Sequence, residues 1–430
     1  MLTIQQRRLM VALQPEEARQ VLQDLQARFN ALLHRVRLEY LQRLGLGMED
    51  LEAVGPGPDT DLAAGEIFMP EPGTIYYIKV PRGQHYLEAG AITRSPGRDV
   101  EEFFAEVREA VLMVHEAAGD WQPVVPPLAA LDIDDARPGE VDISEQRLAA
   151  SRALMDEKSK ELLELIHKSG STFFNKLEVE NREEAEGRIR QLEDLGLVTK
   201  DFAVLCRKTN QQILRVASRA SIEDQKAFKC FICGSPISQE LFDEILTCSD
   251  LGRELLQDNH WLLTLVQGTL GSLGIQADDL RVYEAKGGPV QIFLNFSQQH
   301  FLLVLLTRRL TLDQAYLISA HLAAHKLPHA VLISAQRLST LMRNHLIQSN
   351  PDTAFSFIDS LENLDRELQS VLLAKQRQYL RQVLEPLGQL TPVRVSELVL
   401  RKMAPEPQAP SGDGREAANL MREEEMEPAT

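Results

Sequence analysis

The chain has 430 residues, of which 44% are hydrophobic and 25% charged. This composition is typical of soluble globular proteins, and the length exceeds what one compact core accommodates. The net charge of −17, from 46 basic and 63 acidic residues, argues against a protein that binds nucleic acid over its whole surface. The first residues lack the apolar core of a signal peptide, and the apolar run Phe301–Leu306 is far too short for a membrane helix. We therefore expect a cytoplasmic protein without a membrane partner.

The N-terminal part is predicted to contain a helical arm and a small mixed domain. Apolar residues recur every three or four positions between residues 3 and 47, which indicates a helical hairpin or coiled-coil arm over 1–50. Short strands at Ile67–Met69, Thr74–Val80 and Gln84–Glu88, followed by a helix at 99–117, predict an α+β domain over 60–121. The proline-rich residues 122–142 are interpreted as a linker.

Residues 143–219 form a second set of predicted elements. Helices at about 152–168, 172–178 and 181–195 lead into two alternating segments, Phe202–Cys206 and Gln212–Val216, which flank a basic turn. The stretch Ile189-Arg-Gln-Leu192-Glu-Asp-Leu195-Gly196-Leu197-Val198 resembles the end of a recognition-type helix entering the wing in the winged helix-turn-helix superfamily. The resemblance implies a β-hairpin wing and, in DNA-binding members, a third helix that enters the major groove.

The basic residues of this region are concentrated at the predicted wing. The third helix carries five acidic and three basic residues, which makes it poorly suited to a groove lined by phosphates. We therefore expect the wing to contact nucleic acid, with DNA favoured over RNA. The alternative is a winged helix used for protein contact or dimerisation. The candidate phosphate contacts are Lys200, Arg207, Lys208, Arg215 and Arg219.

All four cysteines fall within one window of 43 residues, which points to a shared chemical task. The segment Cys230-Phe-Ile-Cys233-Gly234 is a knuckle whose two thiolates can bind one zinc ion and whose glycine permits a tight turn. A small module over 220–250 with a structural zinc is therefore predicted, and His260 is a substitute ligand if Cys248 points elsewhere. Reduced core cysteines are the alternative. The predicted ligands are Cys206, Cys230, Cys233 and Cys248.

Residues 251–350 are predicted to form an α/β domain. After a helix at 250–274, the expected order is strand–strand–strand–helix–strand–helix, carried by Leu302–Leu306, Leu312–Tyr316 and Ala330–Ser334. This order resembles the restriction-endonuclease-like nuclease fold. Val304–Leu306 stands where that family places its acidic–x–lysine pair, so the resemblance implies a degenerate nuclease-like domain. A helical segment over 351–402, including a long helix at 353–386, and a disordered acidic tail over 403–430 are expected to follow.

Two further patterns resemble catalytic or metal-binding motifs. The segment Glu284-Ala-Lys286 matches the acidic–x–lysine signature of metal-dependent nucleases, but a Gly-Gly-Pro turn follows at once. His321 and His325 share a helix face and His329 follows, but the glutamate of the H-E-x-x-H zinc signature is missing. Both patterns are interpreted as structural.

These features predict an α+β multidomain protein with a helical N-terminal region, a winged helix, a small zinc module and a nuclease-like domain. Because no catalytic constellation is present, we expect non-catalytic nucleic-acid binding within a bacterial DNA-processing, defence or regulatory assembly. The long terminal helices would serve for homo-oligomerisation. A protein–protein scaffold without nucleic acid is the alternative, and a metal-dependent nuclease is the third hypothesis.

Overall fold

The computed structural model describes residues 1–29, 61–70, 73–94, 100–131, 133, 135–177, 181–218, 228–284, 288–390, 396–397 and 399–400. The chain is mixed α/β, contains several sheets and divides into two compact units. One unit comprises residues 1–126 and 368–430, and the other comprises residues 127–367. The division after Pro126 falls within the predicted linker. The predicted tail and residues 30–50 of the predicted N-terminal arm lie outside the described residues.

The first unit is built on a five-stranded antiparallel sheet with the order β2-β3-β4-β1-β5. Its strands and helices, in chain order, are β1 (Thr3–Met10), α1 (Pro15–Arg28), β2 (Leu62–Phe68), β3 (Thr74–Pro81), β4 (Tyr86–Thr93), α2 (Val100–Val114) and β5 (Trp121–Pro123). Both helices pack into one hydrophobic core with the sheet. The three strands predicted in this region and the helix that follows them are confirmed.

Residues 3–10 form a strand, so the predicted helix does not start at residue 3. Strand β1 pairs with β4 along its whole length, from Thr3 opposite Thr93 to Met10 opposite Tyr86, and with β5 on its other side. The helix begins only at Pro15, a residue preferred in the first helical turn. Pairing along both edges of β1 satisfies its backbone groups and outweighs the helical spacing of its apolar residues.

The second unit contains a four-stranded and a six-stranded sheet, with the orders β7-β10-β8-β9 and β15-β14-β13-β12-β11-β6. In chain order its elements are β6 (Arg137–Pro138), α3 (Glu145–Ala153), α4 (Glu157–Ser169), β7 (Ser171–Phe173), α5 (Arg182–Asp194), β8 (Val198–Leu205), β9 (Gln212–Val216), β10 (Leu241–Cys248), α6 (Asp250–Leu256), α7 (His260–Ser272), β11 (Leu280–Glu284), β12 (Val290–Phe296), β13 (Gln299–Leu306), α8 (Leu312–Ala324), β14 (His329–Ser334), α9 (Thr340–Ser349) and β15 (Ala354–Ile358).

In the four-stranded sheet, helix α5 and the hairpin of β8 and β9 occur where they were predicted. Strand β10 was not predicted, yet it pairs with the whole of β8, from Leu241 opposite Leu205 to Cys248 opposite Val198. The short helix predicted at 172–178 is instead strand β7 and a single 3-10 turn. The backbone groups of β7 hydrogen-bond to β10, with which β7 pairs in the antiparallel direction. The winged-helix interpretation of this region remains a prediction.

In the six-stranded sheet, β11, β12 and β13 form an antiparallel meander, whereas β13, β14 and β15 are parallel. The predicted order of three strands, a helix and a further strand is confirmed by β11 to β13, α8 and β14. The long helix predicted from residue 353 starts at Leu364 instead, because residues 354–358 add to the sheet beside β14. Phe355 and Phe357 alternate along that strand and stack with ring centroids 6.0 Å apart.

The last long helix, α10 (Leu364–Gly388), continues past the division at Leu368. In the first unit its apolar side chains form a second core with the sheet, in which Leu380, Leu384, Ile67 and Ile92 are fully buried. Among the helices of the described ranges, none is both long enough and apolar enough to cross a membrane.

Candidate metal centre

Three cysteines and one glutamate lie together at one end of the four-stranded sheet. One donor atom from each of Cys206, Cys230, Cys233 and Glu240 lies within 4.8 Å of the others. Cys233 is half-buried and the other three residues are buried. A tetrahedral zinc ion with bonds of about 2.3 Å holds its sulfur donors about 3.8 Å apart. Small side-chain rotations are therefore enough for these four donors to hold one metal ion.

The register of two strands brings Cys206 and Glu240 together. Cys206 directly follows β8 and Glu240 directly precedes β10, and the last residue of β8, Leu205, is opposite the first residue of β10, Leu241. The carboxylate of Glu240 accepts the backbone N–H of Arg207 at 2.5 Å and the thiol of Cys233 at 2.8 Å. Glu240 thus connects the two cysteine-bearing turns.

The predicted ligand Cys248 lies outside this group. It ends β10, seven residues after Leu241, which corresponds to about 23 Å along a strand. Its side chain is buried, and burial raises the pKa of the thiol to about 11, with a smaller opposing effect of Arg253. The predicted substitute ligand His260 contacts Glu284 instead, with 3.2 Å between Nε2 and the carboxylate. Glu240, which was not among the predicted ligands, is the fourth member of the group.

The two turns that carry the cysteines share one backbone arrangement. In each, the N–H of the leading cysteine donates to the carbonyl five residues later, and the N–H four residues later donates to the cysteine carbonyl. The bonds measure 2.9 and 2.7 Å around Cys206, and both measure 2.7 Å around Cys230. Asn210 and Gly234 occupy the same place and have positive φ angles of 56° and 77°. Left-handed backbone suits glycine and tolerates asparagine, so both sequences can form this turn.

Hydrogen bonds shift the pKa values of the donor groups. The Thr209 hydroxyl, followed by the backbone N–H groups of Thr209 and Lys208, lowers the pKa of the Cys206 thiol to about 7. The hydrogen bond to Glu240 raises the pKa of Cys233, and the same bond, together with the Arg207 N–H, lowers the pKa of Glu240. A thiolate at Cys206 is therefore accessible near neutral pH, as metal ligation by sulfur requires.

Two of the predicted phosphate contacts are neutralised by neighbouring carboxylates. The ammonium of Lys200 lies 2.8 Å from Glu244, and the guanidinium of Arg215 lies 2.6 Å from Asp201. These partners come from the sheet itself, and one of them, Glu244, belongs to the strand that the sequence analysis did not predict. Arg219 lies outside the described residues.

The remaining predicted contacts, Arg207 and Lys208, are exposed in the first turn. Neither side chain forms an ion pair within the part of the chain that the structure describes, although the charge of Arg207 helps to lower the pKa of Glu240. The second turn adds an exposed cation, Lys229, and two exposed aromatic rings. Phe228 is 57% exposed, and Phe231, between the two knuckle cysteines, is 77% exposed. In the sequence, the alternating aromatic and cationic residues of Phe228-Lys229-Cys230-Phe231 are the signal from which this exposed surface could have been found.

The nuclease-like motif residue Glu284 is engaged in ion pairs. Its carboxylate lies 2.5 Å from Arg137 and 3.2 Å from His260. Burial acts to raise the pKa of Glu284, but the hydrogen bonds from Arg137 and His260 prevail and lower it. Glu284 also lines a cavity of about 850 Å³. Lys286, the other half of the motif, lies outside the described residues.

The three histidines pack against aromatic rings: His321 and His325 both contact Phe293, and His329 packs on Phe301. His321 lies 2.8 Å from the amide oxygen of Gln291 and packs edge-on against Tyr283, with ring centroids 4.7 Å apart. His325 packs on Phe293, whereas His329 begins strand β14. Across the described ranges, the only group of three or more metal-donor residues is the one formed by the cysteines and Glu240.

The chain was compared with protein-family models, with curated proteins and with solved structures, and no match was found. Function is therefore inferred from the site itself.

Proposed function

We propose that this chain is a non-catalytic nucleic-acid-binding protein in which a structural zinc ion joins two turns that contact the nucleic acid. The observation that carries this proposal is the composition of the turns. One turn carries exposed cations that form no ion pair with a described residue, the other carries an exposed aromatic ring, and both turns supply donors to the same group of metal-binding residues. Hereafter the two turns with their flanking residues, 206–211 and 228–235, are called the paired turns.

Zinc fits the donor set. Three thiolates and one carboxylate supply four protein donors, the number typical of closed, structural zinc sites. Cys206, Cys230, Cys233 and Glu240 would hold the ion, which supplies a cross-link between chain segments. The hydrophobic core at this end of the sheet is small, with only Val204 and Ile237 buried in its cluster within the described ranges. A metal cross-link stabilises such small modules in place of a core.

The exposed residues of the paired turns suit a nucleic-acid ligand. Arg207, Lys208 and Lys229 can contact phosphates, and each contact releases counterions from the nucleic acid. Phe231 presents an aromatic face on which an unpaired base can stack, and such stacking contributes about 1–3 kcal/mol per base. The zinc ion would keep both sets of groups on one surface.

The proposal also includes where on the protein the nucleic acid binds, where in the cell the protein acts and in what assembly. A chain of net charge −17 repels nucleic acid over most of its surface, so binding would be confined to the paired turns. Reduced thiols favour a cytoplasmic location. A role within a DNA-processing, defence or regulatory assembly, with homo-oligomerisation through the terminal segments, completes the proposal.

Charge reversal in the first turn tests this function. We expect the Arg207→Glu/Lys208→Glu variant to bind labelled single-stranded and duplex DNA and RNA more weakly than wild type. Because it removes two phosphate contacts, the slope of log K against log salt should become shallower by about 2. Fluorescence anisotropy across a salt series measures both quantities on zinc-loaded protein.

The matched control is Arg308→Glu/Arg309→Glu, which changes the net charge equally at two exposed residues after β13. It should retain the wild-type slope. Equal losses in both variants would show that only the overall charge matters. No binding by folded wild-type protein at low salt would contradict the proposal and favour a protein–protein scaffold.

A further inference from the structure

The first turn has the backbone of a metal-binding knuckle but only one cysteine. Cys206-Arg-Lys-Thr209-Asn210 matches Cys230-Phe-Ile-Cys233-Gly234 position by position, and the two turns have the same hydrogen bonds. Thr209 therefore stands where the second turn has its second ligand. Its hydroxyl hydrogen-bonds the sulfur of Cys206, so its side chain faces the metal-donor group.

The carboxylate nearest to this gap is buried. Glu240 is only 5% exposed, and its oxygens contact the N–H of Arg207 and the thiol of Cys233. It forms no ion pair with another described residue. Two hydrogen-bond donors and the nearby charge of Arg207 already compensate its negative charge. Its position within 4.8 Å of the three sulfur donors is therefore what makes it a candidate ligand for a metal ion that they hold.

We infer that Glu240 is the fourth metal ligand in place of the cysteine missing at position 209, and that Thr209 determines the donor set. The site is then a mixed one, with three sulfur donors and one oxygen donor. This inference rests on the metal centre of the proposed function and goes beyond it by assigning the ligand exchange. A thiolate at position 209 would replace Glu240 as the fourth donor.

Exchanging the carboxylate donor for a thiolate would change which metal ion the site prefers. Soft thiolate ligands favour soft ions such as Cu(I), whereas a carboxylate suits harder ions. Replacing one carboxylate by one thiolate leaves the total ligand charge unchanged. The double variant Thr209→Cys/Glu240→Ala therefore isolates the effect of donor softness, and we expect it to favour Cu(I) over Zn²⁺ relative to wild type.

Four proteins test the assignment: wild type, Glu240→Ala, Thr209→Cys and the double variant Thr209→Cys/Glu240→Ala. Zinc affinity is measured by competition with a chromophoric chelator, and thiolate donors are counted from the charge-transfer absorption of the Co²⁺-substituted proteins. Glu240→Ala should bind zinc at least tenfold more weakly, since loss of even a supporting residue of a metal site costs about 10–100-fold. Thr209→Cys should add one thiolate to the cobalt spectrum, and the double variant should recover the lost affinity.

Glu244→Ala, on β10 but away from the group, is the matched control and should bind zinc as wild type does. Circular dichroism reports whether each variant folds, and recovery in the double variant separates ligand loss from misfolding. Zinc binding that is unchanged in Glu240→Ala, or not recovered in the double variant, overturns the ligand exchange. Absence of zinc binding by wild type overturns the metal centre itself. Nucleic-acid binding does not enter these measurements, so the two proposals fail separately.

Discussion

At the scale of single residues, the surroundings of two helical glycines differ sharply. A Cβ atom on Gly271, in α7, would lie 2.6 Å from the carbonyl oxygen of Val141. A Cβ atom on Gly187, in α5, would meet nothing within 4 Å. The first glycine permits close backbone contact, whereas the second only lowers the helix propensity of an exposed segment.

We therefore expect Gly271→Ala to lower the free energy of unfolding by about 1–3 kcal/mol, because the added methyl group forces the backbone apart. Gly187→Ala should raise it by up to about 1 kcal/mol. Urea unfolding followed by circular dichroism measures both. Equal stability of Gly271→Ala and wild type would contradict the close contact between α7 and residue 141.

The His321 imidazole links pH to stability. Burial, followed by the charge of His325, lowers the pKa of His321, so below the ordinary value of 6.5 the unfolded state binds more protons than the folded state. The contribution of neutral His321 to the free energy of unfolding is fully present above pH 6.5. It is lost as the pH falls through the lowered pKa.

The expected result is a fall in the urea midpoint between pH 7 and pH 5 that is smaller in His321→Asn than in wild type. The exposed His167 provides the control, and His167→Asn should keep the wild-type dependence. An identical pH slope in His321→Asn and wild type would count against the buried imidazole as the origin.

At the scale of elements, the antiparallel pairing of β8 with β10 creates the candidate metal centre. It places Glu240 beside Cys206 and carries Cys248 to the opposite end of the sheet. The paired turns extend beyond these strands and have little core of their own. The proposed metal cross-link would order them, whereas the central strands of the larger sheet are held by a buried apolar core.

Metal removal should accordingly act locally. After chelation, we expect faster amide exchange in peptides covering residues 204–216 and 228–242, because the turns lose their cross-link. Peptides covering β12 and β13 should keep their protection. Hydrogen exchange read by mass spectrometry makes the comparison. Uniform loss of protection in both regions, or none in either, would contradict a local structural role for the metal.

At the scale of the whole molecule, the charge of −17 and the basic surface of the paired turns have to be reconciled. Electrostatic interactions between exposed charges are screened beyond about 8–10 Å at physiological ionic strength. A phosphate at the paired turns therefore interacts mainly with Arg207, Lys208 and Lys229. More distant acidic surface has less influence, so a locally basic surface can bind nucleic acid on an acidic protein.

Prediction from sequence succeeded where structure depends on local pattern. The strands β11 to β14 were located because each is a short apolar run between turn residues, and α8 because its helical pattern ends before the stop at Pro328. Strands β1, β10 and β15 were missed. Strands β1 and β10 mix polar and apolar residues without a regular period, and β15 is only five residues long. Each is stabilised by a partner strand distant in sequence.

The sequence by itself indicated that the clustered cysteines could share a metal, because the knuckle spacing and their clustering reflect local chemistry, and it assigned all four to the site. Only the tertiary structure decided that Glu240 joins them and that Cys248 does not, and that Lys200 and Arg215 are paired with carboxylates. The physical reason is strand register. A metal centre and an ion pair require atoms within a few ångströms, and pairing between β8 and β10, more than 30 residues apart, sets those distances.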